Sequence, residues 1–346
     1  MTKALSMQDR VRGSLLGGAM GDALGYAVEF DRNNQIVARY GPDGITAYEP
    51  VHGLAIISDD TQMTLFTAEG ILRHEAAATG GSPLWAISDA YQDWLRTQET
   101  HFQPGMTGLL AEPRLFCPRA PGNTCLSALR ADRAGYCSRD LYGQPRNHSK
   151  GCGGVMRVAP IALYYHDREA DWVARLAADA SALTHGHPLG YLPSAVLCHL
   201  LVSLLNAPEA PLKSLVGDAL DAMDRLFPNE KHNADLRALL NRAVSLSENG
   251  LTDQENIRAL GEGWVGDEAL AIALYCALRH EHDFSAGIIA AVNHDGDSDS
   301  TGAICGNILG AICGYEAIDA KWKKNLELSN LLLTTADALS AGKSIS

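Results

Sequence analysis

Aromatic side chains are scarce in this 346-residue chain, at 6%, whereas alanine and its 33 glycines are abundant. That balance disfavours a sheet built from aromatic and β-branched strands and favours helices packed closely through small residues, so the expected class is all-α. Positive charge is also in short supply. The 28 Lys and Arg stand against 41 Asp and Glu, a formal net charge of −13, which leaves no basic field for a phosphate backbone and points away from nucleic acid. A neutral or cationic protein partner is compatible with it. No C-x-x-C pair occurs among the eight cysteines (117, 125, 137, 152, 198, 276, 305 and 313), and several sit inside apolar helical patterns; they read as reduced thiols rather than a disulfide framework. The start, MTKALSMQDRVRG, lacks a hydrophobic segment of signal-peptide length, and no run of about 18 apolar residues is evident. The expectation is a soluble, cytoplasmic protein with no membrane partner. Internal repeats, low-complexity tracts and clean linkers are absent too.

What the chain does have is carboxylate in unusual places. His294-Asp295-Gly296-Asp297-Ser298-Asp299-Ser300-Thr301-Gly302 alternates three acids with small residues ahead of an apolar, glycine-punctuated run. Two residues apart on a helix, Asp297 and Asp299 would diverge, so they converge only in a turn or at a helix start. An isolated EF-hand is disfavoured: its sixth place needs Gly and holds Ser300, and its twelfth needs Glu and holds Gly306. All-oxygen donors still select Mg²⁺, Mn²⁺ or Ca²⁺ over zinc or copper. A second acidic cluster, Ser58-Asp59-Asp60-Thr61, precedes a helical pattern through Met63, Phe66, Gly70 and Ile71. Ser58 reads as an N-cap with acids in the first turn, although two adjacent aspartates exceed what a cap needs. Together the clusters carry enough charge for two cations.

Helical spacing covers 8–25, which puts Asp22 near a helix end. Glu29 then stands isolated among apolar neighbours, either a rim carboxylate, a buried pair partner or a cleft residue. Residues 31–57 give no convincing helix and end in a strand-like piece at 54–57. Further helices are expected over 83–98, through most of 155–248, and over 264–280, 284–293 and 321–341. Residues 101–150 read as a long irregular loop within a single domain spanning 8–341. That loop runs into Lys150-Gly151-Cys152-Gly153-Gly154-Val155-Met156-Arg157, whose glycines serve either as turn formers or as an approach for an anion to backbone N–H groups; the Walker spacing is absent. Thr184-His185-Gly186-His187-Pro188 sets two imidazoles in a turn without a third zinc ligand at suitable spacing.

Ser58-Asp59-Asp60-Thr61, Gly151-Cys152-Gly153-Gly154-Val155-Met156-Arg157, Thr184-His185 and Gly296-Asp297-Ser298-Asp299-Ser300, in that order, resemble the motifs of the ADP-ribosylglycohydrolase family; the opening Gly17-Gly18-Ala19-Met20-Gly21-Asp22-Ala23-Leu24-Gly25 is similar as well. The resemblance implies a compact orthogonal all-α fold with a dinuclear Mg²⁺ or Mn²⁺ cleft. Carried over residue by residue, it implies Ser58, Asp59, Asp60, Asp297, Asp299 and Ser300 as metal ligands and leaves Asp295 in a supporting role. Asp60 and Glu29 become the acid/base candidates. Lys150, Gly151, Cys152, Gly153 and Gly154 are implied to cradle the diphosphate, with His185 on ADP-ribose and Trp264 flanking the adenine. Serine at 58 and 300, where many members carry threonine, is the form associated with arginine-directed members.

The expected activity is metal-dependent removal of ADP-ribose from protein side chains, with arginine favoured; cleavage develops oxocarbenium character at C1″. Two alternatives stand beside it. One keeps the fold and changes the bond to serine, poly(ADP-ribose) or a free ADP-ribose derivative. The other is an immunity factor that protects by binding an ADP-ribosylating toxin, although a binding-only protein has no need of five acids at ligand positions.

Overall fold

The computed structural model describes residues 5–78, 80–133 and 147–341. Sixteen α-helices occur among them. They are α1 (Met7–Gly25), α2 (Asn33–Tyr40), α3 (Asp59–Ala77), α4 (Leu84–Glu99), α5 (Asn123–Arg133), α6 (Ala159–Tyr164), α7 (Ala170–Ala182), α8 (Pro188–Asn206), α9 (Leu212–Leu226), α10 (Asn233–Ser247), α11 (Asp253–Leu260), α12 (Gly266–Arg279), α13 (Phe284–Val292), α14 (Ser298–Cys313), α15 (Ala320–Lys323) and α16 (Ser329–Ser340). Only isolated bridges, no strands, are present among the described residues. The all-α expectation therefore holds.

The pair that positions everything else is α1 against α14. Glycines recur every fourth residue on both helices, and their backbones touch: a Cβ added to Gly21 would lie 2.0 Å from the Gly302 carbonyl oxygen, and one added to Gly306 would lie 2.0 Å from that of Gly17. Side chains are excluded from this seam by the closeness of the two helices, so the small residues noted in the sequence have a partner. Helix α8 is long and apolar enough to cross a bilayer by length and composition, but 83% of its most apolar window is buried inside the protein. It is a core helix whose Tyr191, Ser194 and His199 break up the apolar run.

Four expectations change. Residues 31–57 contain α2, whose first N–H groups are capped by side chains: Gln35 Oε1 accepts from Arg32 N (2.7 Å) and Asp295 Oδ1 from Asn33 N (2.8 Å). The second cap comes from far along the chain, so the local sequence could not reveal it. Residues 54–57 form no strand and make only isolated bridges, Val51 with Leu54 and Ala55 with Leu326. The stretch 101–150 is not irregular throughout, because it holds two 3-10 turns and α5, whose Cys125, Ala128 and Leu129 are buried at helical spacing; its residues 134–146, Cys137 included, lie outside the described ones. The final helix is split into α15 and α16. Asn325 and Leu328 adopt left-handed backbone there, and Glu327 N donates to the Ala55 carbonyl (3.0 Å), so pairing with 55 replaces the helix. The seven described cysteines are free thiols.

Candidate active site

Both acidic clusters fold as helix N-termini, where exposed N–H groups and the helix dipole favour negative charge. Ser58 caps α3, its Oγ accepting from Asp60 N at 3.1 Å. Asp297 caps α14, its Oδ1 accepting from Ser300 N at 3.2 Å. The two tips meet at one cavity of about 500 Å³, walled by Asp59, Asp60, Asp297, Asp299 and Ser300 together with Glu29. Gly151, Cys152, Gly153, Met156, His185, Phe30 and Trp264 complete much of the wall, and residues 120–125 close another side.

Electrostatics make this cluster costly as it stands. Burial first, and then the neighbouring acids, hold Asp59, Asp60 and Asp299 well above the usual carboxylate range. The same causes, with Asp297 and Asp59 the main charges, push Glu29 up to about 9. Asp60 Oδ2 and Glu29 Oε2 are buried with no hydrogen-bond partner. Bare buried carboxylate oxygens on the wall of an acid-lined cavity are the donors a hard divalent cation takes, so the residues present fit Mg²⁺ or Mn²⁺. Among the described residues, no three His, Cys, Asp or Glu side chains are already drawn together as a metal shell. One oxygen of Asp297, Oδ2, accepts instead from the Cys152 thiol at 2.7 Å.

Not every residue expected at the site reaches the cavity wall. Ser58 lies behind it as the α3 cap. Lys150 is exposed, and its carbonyl accepts from Gly266 N (2.8 Å). Gly154 serves close packing: a Cβ there would come within 2.7 Å of the Gly190 carbonyl oxygen on α8. Residues 152–157 form a 3-10 turn. Gly151 N already donates to Ser149 Oγ (3.3 Å) and Cys152 N to the Trp264 carbonyl (3.3 Å), which leaves Gly153 as the glycine on the wall with its N–H at the turn's start. His185 lines the same wall, neutral because burial lowers it to about 3.

Two participants were outside the expected set. Asp22, fully buried, accepts from Ser58 N (3.0 Å), Thr61 N (3.2 Å) and the Thr61 hydroxyl, and so holds the tip of α3. Its helix-end position was legible, but its partners were not. Phe30 is 72% exposed and stacks on Trp264, itself 40% exposed, with ring centroids 6.2 Å apart. Adjacency to Glu29 is the one sequence signal that Phe30 carries.

A family model described as ADP-ribosylglycohydrolase matches residues 3–344. The chain is 26% identical over 330 residues to the ADP-ribosyl-(dinitrogen reductase) glycohydrolase of Rhodospirillum rubrum, covering 93% of this chain and 92% of that protein. To ADP-ribosylhydrolase ARH3 of Mus musculus it is 24% identical over 348 residues, covering 92% and 87%. A solved ADP-ribosylglycohydrolase-related protein complex is similar with a TM-score of 0.66 and 28% identity, over 97% of this chain and 99% of that one.

Proposed function

The chain belongs to the ADP-ribosylglycohydrolase family, and from that premise we propose that it removes ADP-ribose from modified arginine side chains of proteins. The observation that carries this reading is the meeting of two acidic helix tips and Glu29 in one cavity that also presents Gly153 and His185. Asp59, Asp60, Asp297, Asp299 and Ser300 on the cavity wall are the residues that would hold two divalent cations, Mg²⁺ or Mn²⁺, with Ser58, set one residue behind the wall, completing the set through its Oγ. Such cations, when bound, supply Lewis acidity toward vicinal ribose hydroxyls and water.

The protein's own groups divide the remaining work. Gly153 N–H and His185 face the diphosphate side of ADP-ribose, and the acidic side takes the distal ribose. In the hydrolysis, water oxygen bonds to C1″ as the C1″–N bond to the guanidine breaks, and the proton that water loses balances the one that the guanidine gains. Asp60, with its bare Oδ2, steers the water. Glu29, which burial biases toward its protonated form, hands its proton to the departing guanidine and is recharged from the water.

The aromatic pair at the mouth favours arginine over serine. Phe30 follows Glu29 directly, so the stacked rings stand within one residue of the acidic end, where the leaving group emerges. A planar cation is attracted to an aromatic face, by about 0.5–2 kcal/mol, and a serine hydroxyl is not. Trp264 is accordingly assigned here to the leaving-group side rather than to the adenine. The test compares kcat/KM on arginine- and serine-linked ADP-ribosyl peptides for the wild type, Phe30→Ala and Trp264→Ala. Preference for the arginine linkage, reduced several-fold by each substitution, is expected; cleavage of the serine linkage alone contradicts the assignment.

A further inference from the structure

Behind the cavity wall lies a charge that the proposed reaction leaves unused. Arg157, 0% exposed, ends the 3-10 turn that carries Gly153. Its guanidinium lies over the Tyr91 ring, 4.3 Å from the centroid, and Nη2 donates to the Ala180 carbonyl (3.3 Å) and to Thr184 Oγ1 (2.6 Å). A buried cation is costly even when hydrogen-bonded, so filling space is a poor reason for it.

Thr184 Oγ1 in turn lies 2.9 Å from His185 Nδ1. Since the hydroxyl oxygen accepts from Arg157, its single proton has two available acceptors, His185 Nδ1 at 2.9 Å and the Ser181 carbonyl at 3.4 Å. That carbonyl already takes the backbone N–H groups of Thr184 (3.1 Å) and His185 (3.0 Å), which occupies both of its lone pairs. The Thr184 proton therefore goes to Nδ1. Burial, followed by the charge of Arg157, keeps the imidazole neutral, so the ring's own proton resides on Nε2. The Nε2 edge is the one beside the cleft: it lies 3.2 Å from where a Cβ on Gly151 would stand, and His185 lines the cavity. Asn147 holds the turn in place, its Nδ2 donating to the Thr184 carbonyl (2.8 Å) and its Oδ1 accepting from Gly186 N (3.1 Å).

We propose that Arg157 and Thr184 are positioning residues that fix His185 as its Nε2–H tautomer, so that it meets bound ADP-ribose as a hydrogen-bond donor to a phosphate or ribose oxygen. The donor role rests on the ADP-ribose reading given above. The opposite tautomer would turn a lone pair toward those acceptor oxygens.

The test joins nitrogen-15 histidine NMR on the full chain, with the His185 signals assigned through His185→Gln, to calorimetric titration with ADP-ribose. The wild type should show a protonated Nε2 and a bare Nδ1. Thr184→Val should lose that signature and weaken ADP-ribose binding about tenfold, the value of one hydrogen bond to a charged group, while Thr184→Ser restores both. A wild-type proton on Nδ1 overturns the proposal, as does a Thr184→Val protein that keeps the wild-type tautomer, whatever its affinity. A changed tautomer with unchanged affinity overturns the donor role. If the wild type shows the Nε2–H tautomer yet binds no ADP-ribose, the positioning chain stands and the substrate reading falls.

Discussion

Asp22 illustrates how a residue off the cavity wall governs the site. Its carboxylate gathers two backbone N–H groups and a hydroxyl from the tip of α3, and burial raises it to about 6 despite those bonds. Asp22→Ala would orphan those donors at about 1–3 kcal/mol each. We expect a lower melting temperature and weaker divalent-cation binding, measured by calorimetry; unchanged cation affinity would show that the tip of α3 holds its shape unaided. Gly153 is equally constrained. A Cβ there would meet Cys125 Sγ at 2.9 Å and His185 Cε1 at 3.1 Å, so Gly153→Ala should displace the imidazole and weaken ADP-ribose binding about tenfold, an overpacking effect of 1–2 kcal/mol.

Among the elements, the glycine seam between α1 and α14 sets the register of α14 and hence the position of Asp297 and Asp299. Gly306→Ala places a methyl 2.0 Å from the Gly17 carbonyl oxygen, and backbone on both sides leaves nothing soft to yield. The expected cost is about 1–3 kcal/mol or more, read as a drop in melting temperature with a parallel loss of activity. Gly217→Ala on α9, where an added Cβ meets nothing within 4 Å, should instead stabilise by about 0.5–1 kcal/mol and serves as the control. Much of this scale was legible in advance. Apolar spacing marked most helices, and Ser58 and the 297–300 stretch announced helix starts through cap chemistry that is local. Elements held by distant partners were not legible: α2 is capped by Asp295, and the break between α15 and α16 follows the pairing of 327 with 55. The contact between Phe30 and Trp264 and the chain from Arg157 to His185 likewise exist only once the helices are assembled.

For the molecule as a whole, the cluster of buried acids is a standing cost that the proposed cations would offset. Ligand that binds only the folded state stabilises it by RT ln(1 + [L]/Kd), about 2.7 kcal/mol at a hundredfold excess over Kd. Mg²⁺ or Mn²⁺ should therefore raise the melting temperature, and chelator should remove the gain. Asp299→Asn is expected to do the reverse of most active-site losses: it should stabilise the cation-free protein by removing a carboxyl group that burial first, and then the charges of Asp60 and Asp297, make costly, abolish the cation-dependent gain, and eliminate activity. A variant that keeps the full cation response would remove Asp299 from the ligand set. The match over residues 3–344 and the ordered acidic motifs agree on the family, whereas the arginine linkage proposed above rests on Phe30 and Trp264 beside the acidic wall.

The most direct measurement is the release of free ADP-ribose from an arginine-ADP-ribosylated protein. Wild type with Mg²⁺ or Mn²⁺ should release it, wild type with chelator should not, and Asp60→Ala should remain inactive with either metal. Release that persists in chelator, or that survives loss of Asp60, would contradict the account.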